Sequence, residues 1–132
     1  MSIAIIISGS RNNDNQELFN YWIDKLTENL DKNDVTFIHG SAKGIDTCCH
    51  NYCKEHKYKV ESFPAKWAIY GKQAGSIRNK DMLIHALANF DHVLLIAFPD
   101  KDSIGTRHMI KICKKENIQI RVIKREIVVK EK

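Results

Sequence analysis

Three short stretches of this chain carry the residue types that phosphate recognition needs. They are "SGSR" (8–11), "HGSAKGID" (39–46) and "FPDKDSIGT" (98–106), each following an apolar run and leading toward a helical pattern. Backbone N–H groups at a helix start, approached closely because glycine has no side chain, suit a phosphate. This gives Gly9, Ser10, Gly40, Ser41, Gly44, Pro99, Asp100, Gly105 and Thr106 as candidate ligand contacts. Arg11 and Lys43 are the cations within reach of a phosphate. A guanidinium offers bidentate recognition, whereas an ammonium acts as a point charge. Asp46 falls in a first helical turn, where a carboxylate satisfies free N–H groups, binds a ribose hydroxyl, or does both. Neither G-x-G-x-x-G after the first strand nor G-x-x-x-x-G-K-[ST] anywhere is present. A common nicotinamide dehydrogenase and a P-loop NTPase are therefore not expected.

The elements that must position these turns can be read from hydropathy. "IAIIIS" (3–8) and "HVLLIAF" (92–98) are continuous apolar runs, the pattern of strands buried on both faces. Val35–His39, Tyr58–Phe63 and Ile118–Ile123 read as three further strands. Helical spacing predicts helices over 15–30, with Asp14 as cap, and over 45–56, 76–89 and 104–116. Residues 64–75 read as one long irregular segment, a length that in compact domains tends to serve function. Alternating helices and buried strands predict a parallel α/β sheet, doubly wound, five strands in the order 3-2-1-4-5, with helices on both faces. In that topology the three turns meet at the carboxyl ends of the strands, beside the switch point between strands 1 and 4.

The bulk numbers agree with one domain over residues 1–124 and a basic tail over 125–132. The chain has 132 residues, 43% hydrophobic and 28% charged. It lacks any apolar run long enough to span a bilayer, and "MSIAIIISGSR" lacks the basic start of a signal peptide. A cytoplasmic protein without a membrane partner is expected. The net charge of +5 is uneven: residues 1–106 hold 12 Lys/Arg against 13 Asp/Glu, and residues 107–132 hold 9 against 3. Such an end either forms a solvated helix face and tail or touches nucleic acid. Cys48, Cys49, Cys53 and Cys113 show no disulfide framework. Cys49, Cys53 and His56 would share a helix face, but a second ligand pair is wanting. The thiols are read as core, and neither a metal nor a resident cofactor is expected.

"GSR", "GSAKGID", "FPAKWAIYGKQAGSIRNKDML" and "IAFPDKDSIGT" together resemble the SLOG superfamily. Within it the chain is most similar to the small YspA-type proteins related to YpsA, which occur in bacteria and phages. The likeness spans about residues 3–123. It implies a Rossmann-like sheet and a nucleotide or nucleotide-derived ligand, a nucleoside phosphate or an ADP-ribose-like molecule. Lys72, Arg78 and Asn79 lie where the family's loop meets its next helix, and Arg78 is the leading side chain for the ligand's phosphate or base. Trp67 and Tyr70 either stack a base or anchor the loop to the body. His39 stands where relatives carry glycine, either as a base or as an ordinary strand-end histidine.

Two related branches set the functional alternatives. LOG phosphoribohydrolases cut a nucleotide's N-glycosidic bond with a glutamate, and this chain offers Met109 at that place. A thioether neither stabilises a cationic centre by charge nor moves a proton. Asp46, His39 and Asp100 remain as candidate catalytic groups, with Arg107 and His108 also able to face the site. The alternative is binding without turnover, by a sensor or by a protein that sequesters a signalling nucleotide as a phage defence antagonist would. DNA-processing protein A, whose signature resembles "GSAKGIDTCCH", implies a third reading, single-stranded nucleic-acid binding. The likeness to LOG proteins also implies a homodimer.

Overall fold

A computed structural model describes residues 1–124 of the chain; the expected basic tail, 125–132, lies outside the described residues. Five parallel strands form the sheet: β1 (Ile3–Gly9), β2 (Val35–His39), β3 (Lys59–Ser62), β4 (His92–Phe98) and β5 (Gln119–Val122). Their order is β3-β2-β1-β4-β5, the doubly wound arrangement expected from the sequence. β1 runs beside β4 over its full length, from Ile3 opposite His92 to Gly9 opposite Phe98. The crossover helices are α1 (Gln16–Thr27), α2 (Ile45–His56), α4 (Ala74–Asn89) and α5 (Ile104–Lys115), and a short α3 (Trp67–Tyr70) lies between β3 and α4.

Side chains alternate across the central strands, so β1 feeds two cores at once. Ile5 and Ile7 join Phe37, Ile96 and Phe98 beneath α1 and α2. Ala4 and Ile6 join Ile38, Leu95 and Ala97 beneath α4 and α5. Cys48, Cys49 and Cys53 pack in the first core and Cys113 in the second. Burial pushes the thiols of Cys48, Cys49 and Cys113 above their ordinary range, so they pack as small neutral groups. Met109, fully buried, belongs to the second core.

Local chemistry adjusts three expected boundaries. The α1 cap is Asn15, whose side chain accepts from the Leu18 N–H, and not its neighbour Asp14. The helix stops at Thr27, three residues short of the expected end. Residues 64–75 are not irregular throughout: α3 and a 3₁₀ turn (Gly71–Gln73) lead directly into α4.

Two glycines let the turn after β1 pack against the start of α2. A Cβ on Gly9 would lie 2.6 Å from the Ile45 side chain. Gly44, at φ 78°, would place one 2.3 Å from the Ser10 carbonyl oxygen and 2.7 Å from that of Arg11. Gly71 also has a positive φ, 57°, but nothing lies within 4 Å of its Cβ position. Gly44→Ala should therefore cost about 2–4 kcal/mol, combining left-handed strain with a backbone clash. Gly71→Ala should cost about 1 kcal/mol, from strain alone. Urea unfolding of both variants measures the difference.

Candidate functional site

The turns after β1 and β4, the start of α4 and the start of α5 enclose a cleft of about 560 Å³. It sits at the carboxyl ends of β1 and β4, where the chain's crossovers diverge to opposite sides of the sheet.

The α5 side of the cleft is built by an inverted cap. Ser103 occupies the N-cap position, yet its Oγ accepts from the Asp100 N–H at 2.8 Å and makes no capping bond to its own helix. Asp100 is fully engaged in the turn: its carboxylate accepts from Ser10 Oγ at 3.3 Å and from the Lys101 N–H at 2.7 Å. The helix therefore begins without a side-chain acceptor for its first-turn N–H groups, beside Gly105 and Thr106, which both line the cleft. Ser8 Oγ donates to Thr106 Oγ1 at 3.3 Å and ties this turn to β1.

The β2 side is organised around Asp46, which is 5% exposed. Its Oδ2 accepts from the Gly40 N–H and the Ala42 N–H, both at 3.1 Å. The backbone donors expected to cradle a phosphate at "HGSAKGID" are thus held by a carboxylate of the same stretch. Among the described residues Oδ1 is buried without a hydrogen-bond partner. Burial pushes the carboxyl up to about 6, opposed by the two N–H groups and by the charges of Arg78 and Arg11.

Arg78 fastens this turn to α4. Its Nη1 donates to the Gly40 carbonyl and, at 3.5 Å, to that of Phe63, while Nε donates to Asn79 Oδ1 at 3.1 Å. A Cβ on Gly40 would fall 2.2 Å from Nη1, so glycine there admits the guanidinium. Asn79, 3% exposed, spends its Nδ2 on the Gly105 carbonyl at 3.0 Å and on His108 Nδ1 at 3.1 Å. That contact places the His108 ring proton on Nε2, and burial with nearby Lys80 and Lys111 lowers its pKa. Arg11 lies 5.7 Å from the centre of the half-exposed Trp67 ring, a cation–π contact across the mouth.

Of the expected contacts, Gly9, Ser10, Arg11, Asp46, Trp67, Lys72, Arg78, Asn79, Gly105 and Thr106 line the cleft. Gly40, Ser41, Lys43, Gly44, Tyr70, Pro99 and Asp100 are not brought to its surface. Gly40 and Gly44 serve close packing instead, and Asp100 builds the β4–α5 turn. His39 lies outside too. Its Nδ1 accepts from the Ser41 N–H at 3.0 Å and its Nε2 meets His50 Nδ1 at 3.1 Å. Burial, then His50 and Arg78, push it down to about 4, leaving a neutral ring. Arg107 turns its guanidinium onto the Asp100 and Lys101 carbonyls, whereas His108 lines the cleft. Ser8, Asn12, Ser76, Asp102, Ser103 and Ile104 also line it and were not singled out from the sequence, although Ser8, Asp102, Ser103 and Ile104 lie within the quoted stretches.

Asp46 and His39 tilt stability with pH in opposite directions. The folded Asp46 carboxyl sits at about 6 against an ordinary 3.8, so its contribution is full below 3.8 and lost as pH rises through 6. His39 sits at about 4 against an ordinary 6.5, so its contribution is full above 6.5 and lost as pH falls through 4. Each slope integrates to about 3 kcal/mol, and the two oppose each other between. Chemical denaturation across pH 4–6.5 should show stability rising with pH in Asp46→Asn and falling with pH in His39→Gln, with the unaltered chain flatter than either.

Comparison with known proteins bears on this geometry. The family model described as YAcAr, the YspA, cpYpsA-related SLOG family, matches residues 3–70, just over half the chain. The "Gene 61 protein" of Mycobacterium phage D29 is 31% identical over 91 residues, covering 65% of this chain and 69% of that protein. No solved structure is significantly similar. Among the described residues no helix is long and apolar enough to cross a membrane. With the sheet order, the turns at its carboxyl edge and the matched segment in agreement, the chain belongs to the YspA, cpYpsA-related SLOG family.

Proposed function

We propose that the cleft binds a nucleotide or nucleotide-derived ligand, a nucleoside phosphate or an ADP-ribose-like molecule. The observation that carries this reading is the uncapped start of α5 at the switch point, facing a mouth that holds Arg11, Lys72 and Trp67. First-turn N–H groups and a guanidinium receive a phosphate, and the indole offers a face for a base. The cleft's volume, about 560 Å³, lies within the range of small-molecule sites. Asp46 lies at the other wall, a carboxylate of the kind that takes a ribose hydroxyl.

Binding without turnover is the form of this reading that the geometry favours, a sensor or a sequestering protein. Met109, at the place of the LOG-type glutamate, is core. Asp100 and His39 lie off the cleft surface, so of the three candidate catalytic groups Asp46 alone lines it. Incubation with a panel of nucleotides followed by mass spectrometry should return bound ligand intact. Arg11→Ala and Trp67→Ala should each weaken binding about tenfold. Release of free base, abolished in Asp46→Asn, would replace this reading with that of a hydrolase.

A second reading rests on α5. Its exposed face carries Arg107, Lys111, Lys114 and Lys115 and begins at the cleft rim with Ile104. A single strand with one nucleotide in the cleft could lie along this ridge. Fluorescence titration of a labelled oligonucleotide then shows affinity falling steeply with salt. Salt-independent or undetectable binding eliminates it.

A further inference from the structure

The polar side chains between α4 and α5 fix the protonation of one ring on the cleft wall. Asn79 is the pivot. Its Oδ1 accepts from Arg78 Nε at 3.1 Å, and its Nδ2 meets the Gly105 carbonyl at 3.0 Å and His108 Nδ1 at 3.1 Å. A guanidinium only donates and a carbonyl oxygen only accepts. The reverse orientation of the amide would therefore set donor against donor at Arg78 and acceptor against acceptor at Gly105. Nδ2 thus spends one hydrogen on Gly105 and the other on His108. His108 Nδ1 has to accept, and the ring proton sits on Nε2. A second proton, on Nδ1, would point straight at the Asn79 amide nitrogen, so the hydrogen bonds themselves hold the ring neutral.

The surroundings act in the same direction. Burial opposes a positive imidazole here, and so do the charges of Lys80 on α4 and Lys111 on α5. The cleft's other charged side chains are Arg11, Asp46, Lys72, Arg78 and Asp102. His108 lines the cleft together with Gly105 and Thr106 of the same helix, and among the described residues its Nε2 has no hydrogen-bond partner. Asn79, with both amide hydrogens spent, has none left for a ligand. We propose that His108, and not Asn79, is the ligand contact on this wall, an uncharged donor whose Nε2–H joins the Gly105 and Thr106 N–H groups in receiving a phosphate oxygen. Asn79 is its positioning residue. The inference rests on nucleotide-type binding by the cleft and gives that binding a donor that does not titrate. Phosphate is then held alike on both sides of the pH at which an ordinary histidine gains its charge.

Calorimetric titration of the full chain with ADP-ribose and with AMP tests this, circular dichroism confirming that each variant is folded. His108→Leu should bind about tenfold more weakly. His108→Gln, whose amide supplies an N–H at similar reach, should bind nearly as well as the unaltered chain. Glutamine does not titrate, so the ratio of the unaltered affinity to that of His108→Gln should stay constant from pH 8 to pH 5.5, whatever the ligand and Asp46 do over that range. A histidine free to charge beside a phosphate would make the ratio climb as pH falls. Long-range proton–nitrogen NMR of the unliganded chain should show His108 protonated on Nε2 and bare on Nδ1, with both tautomers appearing in Asn79→Ala. Undiminished binding by His108→Leu, a ratio that climbs on acidification, or a proton on Nδ1 would each overturn the proposal and leave nucleotide binding standing. An unaltered chain that binds neither ADP-ribose nor AMP would instead remove the nucleotide reading, and this contact with it.

Discussion

The site depends on one buried carboxylate. Asp46 closes the β2–α2 turn on itself by taking the N–H groups of Gly40 and Ala42, and it does so at a cost, because one oxygen is left without a partner among the described residues. A charge in that position is tolerable only with cations near it, and Arg78 and Arg11 supply them. Arg78 in turn grips the Gly40 carbonyl, which is why residue 40 has no side chain. Gly44 lets the same turn press against the backbone of Ser10 and Arg11. A chain of short-range requirements thus fixes the β1 turn, the β2 turn and the start of α4 relative to one another.

That arrangement decides where an external anion can go. The β2 turn already holds its anion, so a phosphate there would compete with a covalently tethered carboxylate. The start of α5 is the reverse case. Its cap residue faces backwards into the β4–α5 turn, and its first-turn donors stand at the cleft. The two walls therefore divide the work: an acceptor-rich wall at Asp46 and a donor-rich wall at α5, bridged by Asn79 through Arg78 on one side and the Gly105 carbonyl on the other. A ligand with hydroxyls at one end and phosphate at the other matches that polarity.

Much of this was legible from the residues. Strand and helix patterns gave the five strands, their order and the edge at which the turns meet: β1 and β4, central and buried, are written as unbroken hydrophobic segments, whereas the edge strands β3 and β5 are exposed or half-buried and mix polar with apolar residues. Ten of the expected contacts reach the cleft: six belong to turns at the switch point, which have few other places to go, and four, Trp67, Lys72, Arg78 and Asn79, belong to the α3–α4 segment singled out by the family resemblance. What stayed hidden was the purpose of the glycines at 40 and 44. A glycine that admits a ligand and one that admits a neighbouring arginine look alike until the distance is known. The backward cap at Ser103 was equally invisible, since a serine before a helix reads as a cap whichever way its hydroxyl turns. His39 reads from its place at a strand end either as a base or as an ordinary histidine, and its contacts with Ser41 and His50 show a neutral ring away from the cleft.

The central claim is that the donor wall for phosphate is α5 and not the glycine turn after β2. A crystal structure of the chain with a bound nucleotide tests it most directly. The account predicts phosphate oxygens within hydrogen-bond distance of the Gly105 and Thr106 N–H groups, with the Gly40 and Ala42 N–H groups still held by Asp46. A phosphate seated on the Gly40–Gly44 turn, with the Asp46 carboxylate displaced, would contradict it.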